Sequence, residues 1–363
     1  MGFTLGIVGL PNVGKSTLFN LLAQAKVDVS NYPFTTIKPN VGVVAVPDER
    51  VAQIAAVVGS AKTVPTVIGF YDIAGLVKGA HRGEGLGNQF LAHIREVNAI
   101  AHVVRCFPDP NITHVEGTVD PRRDIELINA ELILADLATL ESKLAPVKSA
   151  LKIGDKNVLK YLHLLEKIKG ELDSGRPARK VLPALSHEDL ALLADLPLLT
   201  FKPVLYVANV DETGNRTEVD GVKALAAEEN AGVVAICAKL EGEINELPPA
   251  EAEEYLKSVG LEDFALPRLI RAGYRLLDLI TFFTANAKEC RAWTVKQGTR
   301  APRAVGQVHS AMEKGFIAAE VIGAAELVRA GSYAAARERG WLRTEGKEYQ
   351  VKDGDLILVR FTP

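Results

Sequence analysis

GLPNVGKS, Gly9 to Ser16, has the spacing G-x-x-x-x-G-K-S and lies between an apolar run, Phe3–Val8, and a helix-forming run, Gly14–Ala25. In that setting the pattern reads as a phosphate-binding loop. The glycines Gly9 and Gly14 let the backbone N–H groups of the loop, which runs through Pro11, Asn12 and Val13, converge on phosphates. Lys15 reaches the outer phosphates and the Ser16 hydroxyl suits Mg²⁺. The helix that begins there adds its positive end. Asn12 is also a candidate for helping to bind K⁺, which would stabilise charge on the phosphates.

Three further segments fit around that loop. SNYPFTT places Thr35 and Thr36 in a polar, proline-flanked stretch where a threonine could sense Mg²⁺ and the terminal phosphate. YDIAG, Tyr71–Gly75, puts Asp72 at the end of an apolar strand, in position to support Mg²⁺ through water. Gly75 then offers its N–H to the terminal phosphate, and glycines at 79, 83, 85 and 87 follow in a segment that could reorganise on hydrolysis. The residue after Gly75 is Leu76, which cannot orient an attacking water as a glutamine would. His114 is the first candidate to assist and His81 the second.

VLYVANVDE, Val204–Glu212, resembles a base-reading loop whose usual ending is Asn-Lys-x-Asp. Here Val210 stands for the lysine and Glu212 for the aspartate that clasps guanine. The extra methylene moves the carboxylate by roughly 1.5 Å, enough to lose the paired hydrogen bonds. Losing such a contact can forfeit roughly 10⁴-fold selectivity. Adenine needs no carboxylate fork; its amine could be received by a backbone carbonyl or by the Asn209 side chain. Cys237-Ala238-Lys239 would supply the remaining edge of the base pocket. ATP is therefore expected to bind better than GTP.

These residues need a scaffold that gathers strand ends. Phe3–Val8, Val41–Val46, Val67–Ile73, Ala99–Phe107, Pro203–Val210 and Val233–Ala238 read as strands, with helices between several of them. Such alternation predicts an α/β P-loop NTPase fold, G-domain-like, with a mainly parallel sheet. It breaks between about Pro121 and Pro203. There Leu137, Leu140, Leu144, Val147 and Leu151, then Tyr161, Leu165, Ile168 and Leu172, step by three and four. That spacing predicts an inserted α-helical hairpin, an antiparallel coiled coil with Pro146 kinking its first helix. Beyond Leu277, LITFFTAN and CRAWTV read as a hairpin, Arg303–Met312 as a helix, and FIAAEVI, EYQV and LILVRF as strands. They predict a small α+β unit of the β-grasp kind. The expected division is 1–122 with 201–278 for nucleotide binding, 123–200 for the helical insertion and 279–363 for the last unit.

The chain has 363 residues, three cysteines far apart and a formal charge of −3. It is too long for one ordinary core, the odd cysteine count argues against a disulfide framework, and the charge gives no global pull toward DNA or a membrane. Neither a signal peptide nor a membrane-spanning run is legible, so the expectation is a cytoplasmic protein.

GLPNVGKST, SNYPFTT, the glycine-rich run after DIAG, NVDE and the C-terminal unit together resemble the YchF, or Obg-like ATPase, family over essentially the whole chain. The resemblance implies an ATP-preferring hydrolase, slow by itself, with a TGS domain at the C-terminus. It also implies association with ribosomal particles and links to stress responses. By motif position it extends the phosphate loop to Thr17, assigns Thr36 to Mg²⁺ sensing and gives Leu76 the place of the catalytic glutamine. His114 is similar in placement to the family's proposed catalytic histidine. Softer support for a ribosome or ribosomal RNA partner is a basic series that runs through Lys143, Lys148, Lys152, Lys156, Lys160, Lys167, Lys169, Arg176, Arg179 and Lys180. Lys288, Arg291, Lys296, Arg300 and Arg303, near Trp293, form a second. A conventional GTPase of the Obg type and a nucleotide-gated binding module with incidental hydrolysis remain the alternatives.

Overall fold

The computed structural model describes residues 2–25, 40–73, 86–150, 155–214, 216–258 and 264–362. The chain enters through β1 (Thr4–Val8) and α1 (Lys15–Gln24), followed by β2 (Val41–Ala45), α2 (Arg50–Val58), β3 (Lys62–Val64) and β4 (Val67–Asp72). α3 (Leu86–Glu96) leads to β5 (Ala99–Arg105). A helical excursion follows, with α4 (Pro121–Ala150), α5 (Lys156–Asp173) and α6 (His187–Leu192). The chain returns through β6 (Val204–Asn209), α7 (Arg216–Glu228), β7 (Gly232–Ile236), α8 (Ala238–Asn245), α9 (Pro249–Ser258) and α10 (Ala265–Leu276). The last part holds β8 (Leu279–Ala285), β9 (Glu289–Lys296), α11 (Ala301–Val305), α12 (Ser310–Lys314) and β10 (Phe316–Gly323). It ends with α13 (Ala324–Ala330), α14 (Tyr333–Glu338), β11 (Arg343–Glu345) and β12 (Asp355–Phe361).

The first sheet has the order β2-β4-β1-β5-β6-β7. Only the β2–β4 pair is antiparallel. This is the mainly parallel P-loop sheet expected from the alternation. Its central strands β5 and β6 are buried along their whole length and mostly apolar, with His102, Arg105 and Asn209 as the polar exceptions. Because β1, β4, β5, β6 and β7 run the same way, their C-terminal ends open on one edge. Ligands of open α/β sheets bind at that edge.

The leucine stripe of the excursion is packing. Leu140 and Leu144 of α4 are buried against Leu165, Ile168 and Leu172 of α5, with Val181, Leu193 and Leu198 closing a separate small core. α4 runs unbroken through Pro146. Leu151 lies outside the described residues. The base of the excursion is tied down by buried polar groups. The Asp136 carboxylate accepts from the Leu199 N–H (2.7 Å), the Thr200 N–H (2.8 Å) and the Thr200 hydroxyl (2.6 Å). Arg179 donates to Glu229 beside α7, and the Tyr206 hydroxyl of β6 donates to the same carboxylate at 2.9 Å. The excursion is thus fastened to the strand that ends in Asn209.

The second sheet has the order β11-β10-β12-β8-β9-β3. Its β8–β9 hairpin is the one read from LITFFTAN and CRAWTV. Other details differ from expectation. The strand expected in EYQV lies instead at Arg343–Glu345, and Gln350 keeps only an isolated bridge to Arg300. The helix expected over Arg303–Met312 splits into α11 and α12 around Gly306, with the His309 side chain capping the second. Unforeseen altogether is the sixth strand. β3, from residues 62–64, pairs parallel with β9, and Val51, Ile54 and Ala55 of α2 enter the core of this C-terminal sheet beside Phe283, Ile322, Leu327 and Leu356. Arg50 reinforces the contact by bonding Asp353 at 2.7 Å while lying over the Phe283 ring. Its neighbouring carboxylates hold the guanidinium's pKa above its ordinary value, Asp48 most strongly.

Candidate nucleotide-binding site

The loop between β1 and α1 takes its shape from residues that tolerate positive φ. Asn12 has φ 64° and Gly14 has φ 99°. Gly14 stands as the N-cap of α1 without a side chain to cap it, and the first turn carries no acid. The first helical bond runs from Leu18 N–H to Gly14 O, at 3.0 Å. The amides of Lys15, Ser16 and Thr17 therefore point out of the helix start and call for an outside acceptor. α5 and α6 differ, since Asp155 and Ser186 cap them from within.

Lys15 folds back so that Nζ donates to Leu10 O at 2.6 Å. Burial lowers its pKa to about 8, against an opposing pull from Asp72. The β1–β4 register sets Ile7 opposite Asp72, which brings that acid beside the loop. Burial raises the Asp72 carboxyl, and the Lys15 charge works the other way. Each group has lost more hydration than its neighbour's charge restores.

A cavity of about 960 Å³ opens over the α1 start. Asn12, Gly14, Lys15, Ser16 and Thr17 line one side; Asn209, Val210, Glu212, Cys237, Ala238 and Lys239 line another. The two halves of the expected nucleotide site thus share one space. Gly9, Pro11, Val13, Asp72 and His114 do not line it, although Val13 and Gly9 shape the loop from behind. Thr35, Thr36, Gly75, Leu76 and His81 lie outside the described residues.

Asn209 works as a staple. Its Nδ2 donates to Val13 O at 2.9 Å and its Oδ1 accepts from Ala238 N–H at 3.2 Å. One buried carboxamide thereby joins the phosphate loop, the end of β6 and the start of α8. Of the two acceptors suggested for an adenine amine, the Asn209 oxygen already accepts one bond, from Ala238 N–H. Asp211 closes its own turn by accepting from Thr213 N–H (3.0 Å) and Gly214 N–H (3.1 Å). Glu212 pairs with Lys239 at 3.2 Å on the exposed rim. Solvent screens an exposed pair of this kind, so it biases the carboxylate without locking it.

A third wall was not anticipated. Phe107, Pro108, Asp109 and Ile112, just beyond β5, also line the cavity. An aromatic and a proline at a parallel strand's C-terminal end were the available signal. The loop is joined to its surroundings by the Cys106 N–H to Asn209 O bond (2.8 Å) and by Asn12 Nδ2 donating to Thr113 O (3.1 Å). Arg105, at the end of β5, is 2% exposed. Its Nε donates to Phe107 O (3.1 Å), one Nη to Ile112 O (2.9 Å) and the other to Asp109 O (3.1 Å).

His114 is buried at the far end of the same loop. Its Nδ1 accepts from Glu116 N–H at 3.1 Å, which puts the ring proton on Nε2, 2.8 Å from the Asp124 carboxylate. Both nitrogens are engaged away from the cavity. Part of the basic series is engaged in ion pairs. Lys148 pairs with Glu166, Lys160 with Glu188 and Asp189, Lys169 with Asp173, and Arg176 with Glu171, while Arg179 is buried against Glu229. Arg291, Arg300 and Arg303 pair with Glu289, Glu348 and Glu313, and Trp293 lies parallel to Phe282 within the C-terminal sheet. Among the described residues, no helix is long and apolar enough to cross a membrane.

Residues 279–362 match the family model YchF-GTPase_C, described as "Protein of unknown function (DUF933)", and residues 4–134 match one described as "50S ribosome-binding GTPase". The chain is 51% identical to the ribosome-binding ATPase YchF of Bacillus subtilis, covering 99% of this chain and 100% of that protein. It is 50% identical to the protein of the same name from Escherichia coli O157:H7, covering 99% of each. The solved structure of the Schizosaccharomyces pombe YchF GTPase superposes with a TM-score of 0.87 at 35% identity, over 99% of this chain and 98% of that one.

Proposed function

This chain belongs to the YchF family, and from that premise we propose that it is an ATP-preferring nucleotide hydrolase that acts as a nucleotide-controlled switch on the ribosome. One observation carries the reading: the uncapped α1 amides and Lys15 share a single cavity with Asn209, Glu212 and Ala238. The relatives' names differ over the base, ATPase for the bacterial proteins and GTPase for the fission-yeast one. The choice therefore rests on this chain's own loop. Its terminal acid is one methylene too long for guanine and is drawn toward Lys239.

Lys15 and the loop amides would hold the phosphates, with residues from Gly9 to Thr17 shaping the cradle. P-loop hydrolases of this class use Mg²⁺, which when bound neutralises charge on the phosphates. Ser16 and Asp72 fit such an ion, because a desolvated carboxyl gains from a divalent cation beside it. Thr36 and Gly75 complete the proposed set, and Cys237, Ala238, Lys239 and Val210 frame the base. K⁺ beside Asn12 belongs to the same proposal, tested by exchanging K⁺ for Na⁺ in the hydrolysis assay. The division into 1–122 with 201–278, 123–200 and 279–363 is proposed likewise, with residues 50–64 packed on the last unit.

Calorimetric titration tests the base preference. ATP should bind at least roughly tenfold more tightly than GTP, a difference of about 1.4 kcal/mol. A preference for GTP would return the chain to the conventional GTPases. His114 is the proposed helper of the attacking water, reaching it only by leaving Asp124. His114→Ala, assayed well below its melting temperature, should lower turnover by roughly 10²-fold with ATP affinity unchanged. Unchanged turnover would remove His114 from the mechanism.

A further inference from the structure

We propose that Arg105 is the positioning residue of the base-side wall, setting nucleotide affinity through three backbone carbonyls without touching the ligand. The inference rests on the cavity being the nucleotide site. Among the described residues Arg105 is the largest of the fully buried side chains, and its hydrogen-bond partners there are carbonyls, those of Phe107, Asp109 and Ile112. Its guanidinium also lies over the Phe107 ring, 4.7 Å from the centroid. Burying a guanidinium against neutral acceptors is costly unless every donor direction is met. A planar fork can meet three divergent carbonyls at once, whereas an ammonium presents its donors from a single point.

The three carbonyls bracket Phe107 to Ile112, and four residues of that stretch line the cavity. With the fork in place, the loop has one conformation available before any ligand arrives. Without it, those carbonyls lose their donors, and the wall must be ordered at the expense of binding. The wall stands beside the Asn209–Thr213 segment, so its loss should weaken whatever contacts the base far more than the α1 amides, to which the loop is tied through Asn12 Nδ2 and Thr113 O.

Two probes separate these ends of the site. ATP carries base, ribose and phosphates; inorganic tripolyphosphate carries only the last. In Arg105→Lys, which keeps charge and burial but loses the fork, ATP affinity should fall by roughly tenfold or more while tripolyphosphate affinity stays within about twofold. Arg105→Met should do the same more strongly; if it fails to fold, the lysine variant alone decides. Full retention of ATP affinity in Arg105→Lys would overturn the assignment, as would an equal loss of both probes, which would place the effect at the phosphate loop. A wild-type protein that binds neither probe would overturn the nucleotide-site reading itself, and the role of Arg105 with it.

Discussion

Lys15→Met is expected to lower kcat by roughly 10²- to 10³-fold, the usual consequence of removing one preorganised donor from developing charge. The same variant carries a pH signature. In the nucleotide-free protein burial brings the Lys15 ammonium down to about 8. Affinity for a polyphosphate should therefore decline as pH rises through that value, because the neutral amine attracts an anion less. Stability moves in the opposite direction. Unfolded chain keeps the proton up to the ordinary value of 10.5, so between about 8 and 10.5 it binds more protons than the folded form. Folding stability from this group then increases with pH across that window. Titrations and urea unfolding on both sides of pH 8, in wild type and Lys15→Met, should show both slopes in the first and neither in the second. Parallel slopes in the two proteins would mean that Lys15 is not the titrating group.

Gly14→Ala is expected to remove ATP binding, by roughly 100-fold or more. A Cβ at Gly14 would lie 2.2 Å from Asn209 Nδ2, on a backbone at φ 99° that an L side chain resists. Neither the loop nor the staple can then keep its place. Asn209→Ala reaches the same end from the other side, leaving Val13 O and Ala238 N–H without their partner at a cost of about 2–4 kcal/mol in stability. Calorimetry with ATP and denaturant melts of both variants measure the effects. Near-normal affinity in folded Gly14→Ala would break the link between these two elements.

How much of this was legible depended on the range of the interactions. The phosphate loop was read because eight adjacent residues carry it and a strand and helix flank it. Leu140, Leu144, Leu165 and Ile168 announced their pairing because a stripe repeats locally. The wall beyond β5 was missed because its determinant, Arg105, looks in sequence like any charged strand end; its burial and its three carbonyls exist only once the loop has folded over it. His114 does lie in a loop beyond a strand, as its sequence suggests, but Asp124, its partner, sits in the first turn of α4 and turns the ring inward. β3 is three residues long, too short for a periodic signal, and its partner strand is more than two hundred residues away. EYQV had a strand-like composition, yet the preceding polar Arg343–Glu345 took the edge of β10 instead.

The early position of α2 and β3 in the chain has a consequence for biosynthesis. Val51, Ile54 and Ala55 leave the ribosome long before Phe283, Leu327 and Leu356, the residues that cover them. With elongation at about 5–20 residues per second, that apolar face waits roughly 15–60 s for its complement. A message truncated before β8 releases a polypeptide whose N-terminal part still displays the uncovered helix to chaperones and proteases. Synthesis of the C-terminal sheet is thereby registered near the beginning of the molecule.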